Sequence, residues 1–280
     1  MTDVETTALG PLISFVGAGP GAPDLMTLRG AARLASADIV VWASSLVPAE
    51  VLTHASPGAT VHDSAGMTLE DVLAVYEANP GASIVRLHSG DPSLYGAIQE
   101  QIDWCIQRER SFEIVPGVSS LAAAAAAVGR ELTIPQVSQS VVVTRLASRT
   151  AASVPAAERI ATFASTGCTM AVFLSAAQPE ALQRELLTPP SAYHDDTPAC
   201  IVIRASWPDE RVILTELGRL AADLRSTGAT TTVLVLVGEA LSGSAPRSHL
   251  YSPAFAHGHR RRSLLGSTSG RPARRIRRRG

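Results

Sequence analysis

The stretch LISFVGAGPG, residues 12–21, joins an apolar run to a turn that contains three glycines. Its first five residues predict a β-strand, and the glycines predict a tight turn before a helix over residues 27–37. Runs that are apolar throughout and alternate with helices are typical of a parallel sheet covered on both faces. Further strands of this kind are predicted at residues 39–42, 83–87 and 112–115. The predicted helices between them include one that starts with Thr68 as N-cap and Asp71 three residues later, and one over residues 94–108.

The pattern breaks at residues 130–138, where Pro135 stands among polar residues, and a second α/β half follows. We therefore predict an α/β fold with a mostly parallel sheet in residues 12–134 and a mixed sheet in residues 135–259. A hairpin around Trp207 makes the second sheet partly antiparallel, because only a short connection separates its two strands. The predicted strands of this half lie at residues 141–144, 170–174, 199–203, 212–214 and 233–237.

Charge is distributed unevenly along the chain. All 24 basic residues are arginine, and nine of them lie between Arg260 and Arg279, beyond the last acidic residue. The first 259 residues carry 15 arginines against 25 acidic residues, an excess that would repel a nucleic-acid duplex. We therefore expect no nucleic-acid partner. We interpret residues 260–280 as a disordered, solvated tail and residues 1–11 as an N-terminal extension.

Cysteine usage and hydropathy bear on the compartment. The three cysteines are dispersed without a CxxC pair, which favours reduced thiols in a cytoplasmic protein. The first ten residues lack the apolar core of a signal peptide. No apolar run approaches the ~20 residues that a membrane-spanning helix needs. We expect a cytoplasmic protein with no membrane partner, and we assign no metal site.

The glycine turn at residues 17–21 has a second interpretation, the phosphate-binding fingerprint of NAD-dependent oxidoreductases. Its spacing is GxGxG rather than GxGxxG, and Pro20 has no N–H to offer a phosphate. The second strand runs into Ala43-Ser44-Ser45, with no acid to bind a ribose. A plain strand-to-helix turn explains the glycines as well, so the motif alone leaves both interpretations open.

Two further turns stand at predicted strand ends. In HSGDPS, residues 88–93, Gly90 permits a close backbone approach, and Asp91 could accept hydrogen bonds from a ligand or cap the next helix. In VPGVSS, residues 115–120, either serine could bind a ligand or cap the alanine-rich helix that follows. Because the carboxyl ends of parallel strands meet at one edge of a sheet, the three turns together predict a ligand site there.

Three segments resemble the tetrapyrrole, or precorrin, methyltransferases: VGAGPGAPDLMTLRG (residues 16–30), RLHSGDPSLYGAI (86–98) and EIVPGVSSLAAAAAAVGRELTIPQVSQ (113–139). Four more are similar to the branch that methylates carbon 11 of precorrin-4 on the way to cobalamin. These are SSLVPAEVL (44–52), SAGMTLEDV (64–72), IRASWPDERV (203–212) and LYSPAFAHGHR (250–260). The likeness spans about residues 12–260.

The resemblance implies two α/β domains that bind S-adenosyl-L-methionine in the cleft between them, usually as a homodimer. It implies transfer of a methyl group to a tetrapyrrole polycarboxylate. Methylation of another precorrin carbon or of cobalt-precorrin-4 stays an alternative, and an NAD-dependent oxidoreductase is a remote one. The implied cofactor-binding residues are Pro20, Ser89, Gly90, Asp91, Leu94, Ser119, Ser120, Leu174, Ser175 and Ala205.

The resemblance does not identify a catalytic base. The uroporphyrinogen-methylating branch carries an aspartate after the second strand, where this chain has Ala43-Ser44-Ser45, so His88 and Glu131 are the remaining candidates. A polycarboxylate substrate calls for arginine, which binds carboxylates through two hydrogen bonds. We expect at least two of four candidate arginines to line the same cavity as Gly90 and Ser119. The four are Arg86, Arg130, Arg145 and Arg204.

Overall fold

The computed structural model describes residues 11–147, 154–243, 248–256 and 258. Of the predicted N-terminal extension, residues 1–10 lie outside the described residues. The tail predicted over residues 260–280 lies outside them as well. Among the helices that are described, none is both long and apolar enough to cross a membrane.

The first half of the chain forms a five-stranded parallel sheet. Its strands are β1 (Ile13–Gly17), β2 (Ile39–Trp42), β3 (Thr60–Asp63), β4 (Ile84–His88) and β5 (Phe112–Val115). Their order is β3-β2-β4-β1-β5, and every pairing is parallel, as predicted. Because β1 lies between β4 and β5, the glycine turn that follows it lies between the turns that follow those two strands.

The α-helices among the described residues of this half are α1 (Leu28–Ala35), α2 (Leu69–Ala78), α3 (Gln99–Gln107) and α4 (Ser120–Val128). Thr68 and Asp71 form a capping box that starts α2, as the sequence predicts. The helix predicted from residue 94 begins only at Gln99. The chain before it makes turns in which Tyr95 and Ala97 have left-handed backbone angles, φ 59° and 50°, and these angles are incompatible with a helix.

The second half forms a mixed five-stranded sheet. Its strands are β6 (Val141–Arg145), β7 (Thr169–Phe173), β8 (Pro198–Ile203), β9 (Arg211–Glu216) and β10 (Val233–Val237). The order is β6-β7-β10-β8-β9, in which only the β6–β7 pair is parallel. The predicted hairpin around Trp207 is confirmed as the antiparallel β8–β9 pair. Helices α5 (Ile160–Ala164), α6 (Pro179–Leu187) and α7 (Leu220–Ser226) accompany this sheet.

Helix α4 connects the two halves through packing. It follows β5 of the first sheet, yet Ala123 and Ala124 pack on Cys200 and Val202 of β8 and on Leu236 of β10. Helices α5, α6 and α7 share a separate core with the same sheet. Because alanine side chains are short, α4 can approach the sheet closely. The turn before α4 therefore lies between the two sheets.

Candidate functional site

The three glycine turns of the first half pack against one another through their backbones. Gly90 donates its N–H to the carbonyl of Gly19 at 2.8 Å, and Gly19 donates to Gly90 at 3.3 Å. Gly19 and Gly90 have φ angles of +78° and +66°, which glycine adopts without strain. A Cβ on Gly117 would lie 2.1 Å from the carbonyl oxygen of Gly90 and 2.7 Å from Cα of Gly17. The glycines are thus required where the turns meet.

Asp91 links two of these turns through its carboxylate. Its Oδ2 accepts a hydrogen bond from the Gly117 N–H at 2.9 Å, and its Oδ1 accepts one from the Ser93 N–H at 2.8 Å. Partial burial works against ionisation, but these backbone hydrogen bonds outweigh it, so the pKa of Asp91 lies below its ordinary value. The ionised carboxylate braces the turns. It does not cap α3, which begins eight residues later.

A cavity of about 320 Å³ lies between these turns and the second sheet. All ten residues implied to bind the cofactor line it. Seven come from the first half: Pro20, Ser89, Gly90, Asp91, Leu94, Ser119 and Ser120. Three come from the second half: Leu174, Ser175 and Ala205. The structure therefore brings the predicted set together in one cleft, and cofactor binding by each residue stays a prediction.

Several lining residues were missed by the sequence analysis. Tyr95 lines the cavity with its ring centroid 5.3 Å from that of Phe173, so an aromatic pair joins the two halves. Thr230, Thr231 and Thr232 line it from the loop before β10. The antiparallel β8–β10 pairing brings the start of β10 beside the end of β8, just before Ala205, and no feature of the sequence predicted that pairing.

Strained backbone surrounds the second-half wall of the cavity. Leu174, Arg204, Ser206 and Thr232 have φ angles between 50° and 66° without being glycine. Such angles cost about 1–3 kcal/mol each and persist only where the surrounding structure enforces them. Leu174 is also 62% exposed although it is apolar. Backbone strain and an exposed apolar side chain together mark this wall as a binding surface.

The candidate bases lie away from the cavity. His88 shares one face of β4 with Ile84 and Arg86, is buried, and contacts Phe15 with its ring. Burial, assisted by the charge of Arg86, lowers the pKa of His88 to about 3, so it is a poor proton acceptor near neutral pH. Glu131 is exposed and does not line the cavity either. Neither candidate lines the cavity, and a catalytic role for either stays a prediction.

The expectation that at least two of the four arginines line the cavity is wrong, because none of them does. Arg86 lies in β4 and donates a hydrogen bond from Nη1 to Ser64 Oγ at 2.8 Å, and burial lowers the pKa of its guanidinium. Arg204 pairs with Asp209 at 2.6 Å. Both guanidinium groups therefore contact other protein side chains, and neither lines the cavity.

The remaining two arginines lie at the margins of the second half. Arg130 is exposed and approaches Gly243, where a Cβ would lie 2.6 Å from its Nη2. Arg145 ends β6 opposite Phe173. Burial raises the pKa of Tyr95, a lining residue, and the positive charge of Arg145 opposes that rise. Arg145 is thus the candidate that acts electrostatically on the cavity lining, and substrate binding by any of the four stays a prediction.

The model of the family named Tetrapyrrole (Corrin/Porphyrin) Methylases matches residues 12–221. The chain belongs to this family. Membership explains why the glycine turn departs from the dinucleotide fingerprint, and it removes the oxidoreductase interpretation. Among the described residues, no group of three or more His, Cys, Asp or Glu side chains could hold a metal ion.

Individual relatives agree with this membership. A precorrin-4 C(11)-methyltransferase of Sinorhizobium sp is 43% identical over 249 residues, which cover 87% of this chain and 96% of the relative. A solved cobalt precorrin-4 methyltransferase from cobalamin biosynthesis is 39% identical and has a TM-score of 0.78, over 82% of this chain and 95% of that one. A uroporphyrin-III C-methyltransferase from Thermus thermophilus, complexed with S-adenyl homocysteine, is 27% identical with a TM-score of 0.68, over 83% and 99%.

Proposed function

We propose that this methyltransferase moves a methyl group from S-adenosyl-L-methionine to carbon 11 of precorrin-4, in its metal-free or cobalt-containing form, during cobalamin biosynthesis. The observation that carries the proposal is the single cavity lined by all ten implied cofactor-binding residues. The substrate follows from two relatives, whose names specify precorrin-4 and cobalt precorrin-4. The donor follows from the demethylated cofactor bound in the Thermus thermophilus relative.

The cavity suits an adenosyl amino acid in size and chemistry. Its volume lies at the small end of the roughly 300–1,000 Å³ range of small-molecule sites. Hydroxyl groups of Ser89, Ser119 and Thr230 can hydrogen-bond to ribose and amino-acid groups, while Leu174 and Phe173 offer apolar faces to a purine. We propose that these residues position the donor across the cleft.

Exposed apolar residues around the cavity suit the flat face of a macrocycle. Leu46, Leu94, Tyr95 and Leu174 are each more than a third exposed and all line the cavity. Clustered apolar side chains at a surface mark a binding site, because isolated ones need no partner. We propose that Leu46 and Tyr95, the two members outside the implied cofactor-binding set, receive the tetrapyrrole, with its carboxylates directed outward.

The chemistry asks the protein for orientation above all. The donor supplies a methyl group on a sulfonium: its S–C bond breaks as the new C–C bond forms, and the bonding electron pair stays on sulfur. The residues of the two walls have to hold the reacting carbons in line, which contributes about 7–11 kcal/mol in well-oriented systems. Neither His88 nor Glu131 is needed to activate the donor, which agrees with their positions outside the cavity.

We further infer that the protein works as a cytoplasmic homodimer without metal, membrane or nucleic-acid partner. The homodimer follows from the family resemblance, and the absence of a paired cysteine motif supports the compartment. Sedimentation at micromolar concentration tests the assembly. A monomeric mass would contradict it without affecting the proposed reaction.

The reaction is tested by incubating the full chain with donor labelled by ¹³C in its methyl group. Precorrin-4, cobalt-precorrin-4 and uroporphyrinogen III serve as parallel acceptors, and NMR locates the label. We expect label at carbon 11 of one or both precorrin-4 forms and none on uroporphyrinogen III. Label at another ring carbon would replace the proposed regiochemistry, and calorimetric binding of NAD(H) would reopen the oxidoreductase interpretation.

A further inference from the structure

The glycine turn after β1 is held in place by the second half of the chain. Trp207 Nε1 donates a hydrogen bond to the carbonyl of Pro20 at 2.9 Å, and the N–H of Ala22 donates one to Ser206 Oγ at 3.0 Å. Trp207 and Ser206 both lie in the β8–β9 hairpin, 187 and 184 residues away along the chain. The turn that supplies Pro20 to the cavity is thus tied to the second sheet.

Gly21 makes room for this contact. A Cβ at Gly21 would lie 2.1 Å from Cδ1 of Trp207 and 2.4 Å from its Nε1, closer than any side-chain carbon tolerates. Unlike Gly19, Gly21 is not among the residues with positive φ, so its backbone conformation does not require glycine. The last glycine of the GxGxG motif is therefore required because a side chain there would overlap the indole of Trp207.

The indole is supported from within the hairpin. The guanidinium of Arg204 lies 4.9 Å from the centroid of the Trp207 ring, within the range of a cation–π interaction. Its Nη1 is 2.6 Å from Oδ2 of Asp209. Arg204 and Ser206, on either side of the lining residue Ala205, both have left-handed backbone angles. Arg204, a substrate-binding candidate on sequence grounds, thus contacts the ring that contacts Pro20.

The geometry points to Trp207 as a positioning residue that sets the spacing between the two walls of the cavity. Pro20 lines the cavity from the first half and Ala205 lines it from the second, and Trp207 joins the turns that carry them. Trp207 itself does not line the cavity. The inference rests on the proposed function and adds to it a residue outside the cavity that controls affinity for the adenosyl donor.

Two substitutions approach the contact from opposite sides. Trp207→Phe keeps an aromatic ring and removes the N–H that binds Pro20. Gly21→Ala keeps Trp207 and pushes its ring away. The matched control is Trp104→Phe. Trp104 is also partly buried, lies 5.5 Å from the guanidinium of Arg108, and is remote from the cavity lining.

The experiment measures two properties of the full chain. Calorimetry gives the Kd for S-adenosylhomocysteine, and hydrogen exchange of the peptide covering residues 17–25 reports on the turn without any ligand. We expect Trp207→Phe to raise the Kd about five- to tenfold, as loss of one hydrogen bond would, and to speed exchange in the peptide. Gly21→Ala should do the same. The double variant should lose less than the product of the two single effects, because both break one contact.

The control separates positioning from plain stability. Trp104→Phe should lower the thermal midpoint but leave the Kd and the exchange of residues 17–25 unchanged. If Trp207→Phe behaves in this same way, the residue only stabilises its hairpin and the inference is overturned. If the unaltered protein fails to bind S-adenosylhomocysteine while Trp207→Phe still speeds exchange, the proposed function fails and the holding role of Trp207 is supported.

Discussion

The two sheets build their walls of the cavity by different means. The first sheet uses glycine at Gly19 and Gly90, whose left-handed backbone angles cost glycine nothing, and at Gly117, where a side chain has no room. The second sheet places Leu174 and Thr232 at left-handed angles, which strain any residue with a side chain. One wall is thus shaped by close backbone contact and the other by conformations that the surrounding structure enforces.

The difference teaches what each wall contributes to binding. The glycine turns use the N–H groups of Gly19, Gly90 and Gly117 to hold one another in place. The first wall therefore offers a ligand the polar side chains beside those glycines, among them Ser89 and Ser119. The strained residues present side chains at angles that ordinary turns cannot reach. A ligand with a polar amino-acid end and an apolar ring system, such as the proposed donor, uses both kinds of wall.

The largest effect is expected where backbones touch. Gly117→Ala forces a Cβ against the carbonyl of Gly90, so we expect the free energy of unfolding to fall by about 3 kcal/mol. Gly81→Ala is the matched control, because a Cβ there meets nothing within 4 Å, and it should change stability by less than about 0.5 kcal/mol. Urea denaturation measures both. Equal effects would show that the turns do not depend on backbone contact.

A second test separates bracing from binding. Asp91→Ala removes both acceptors that hold the first wall, leaving the Gly117 N–H unpaired, and should weaken S-adenosylhomocysteine binding by about 1–3 kcal/mol. Asp63 is the control. It accepts hydrogen bonds from the backbone of Ser44 and Ala65 at the end of β3, and none of these three residues lines the cavity. Calorimetry on Asp63→Ala should give the affinity of the unaltered protein, and unchanged affinity in Asp91→Ala would reduce Asp91 to a structural turn residue.

The core beneath the first wall can be probed by pH. His88 has a folded-state pKa of about 3 against an ordinary value near 6.5, so below pH 6.5 the unfolded chain takes up a proton that the folded chain refuses. Above pH 6.5, His88 therefore does not lower the free energy of unfolding. As the pH drops from 6.5 toward 3, this group lowers the free energy of unfolding by about 1.4 kcal/mol per pH unit.

His88→Leu removes this contribution to the pH dependence. Urea denaturation at pH 7.5, 6.0 and 5.0 should show a shallower loss of stability than in the unaltered protein. If the free energy of unfolding depended on pH equally in the two proteins, water would reach the imidazole and His88 would not be buried beneath the first wall.

The smallest effect is expected at the second wall. Leu174→Gly relieves a left-handed backbone angle, and this gain is partly offset by the entropy of glycine in the unfolded chain, so stability should rise by at most about 1 kcal/mol. Binding of S-adenosylhomocysteine should weaken, because the exposed leucine surface is lost. Glu109→Gly, at φ 52° on an exposed turn, should gain similar stability without changing affinity. Equal affinity in both variants would remove Leu174 from the site.

Sequence patterns predicted the first wall better than the second, because glycine turns can be recognised in a sequence and enforced backbone angles cannot. The glycine turns of the first wall follow continuous apolar strands, and that combination is visible in the sequence. β2 and β5 of the first sheet match their predicted bounds, as does β10 of the second. Left-handed Leu174 or Thr232 leaves no such signature, because only tertiary contacts enforce such angles. β3 was missed because Thr60–Asp63 is largely exposed and polar. The arginine prediction was wrong because position near a strand end does not tell which groups a guanidinium meets.

Helix α4 has a consequence for how the chain folds and can be divided. It is synthesised with the first sheet, but its alanine face is buried on the second sheet, so neither half completes its hydrophobic core alone. Cutting the chain near residue 134 would leave Ala123 and Ala124 facing water on one fragment and uncover Val202 and Leu236 on the other. We therefore expect the halves to melt in one cooperative transition and to be poor material for domain exchange between relatives unless the exchanged segment begins before Ser120.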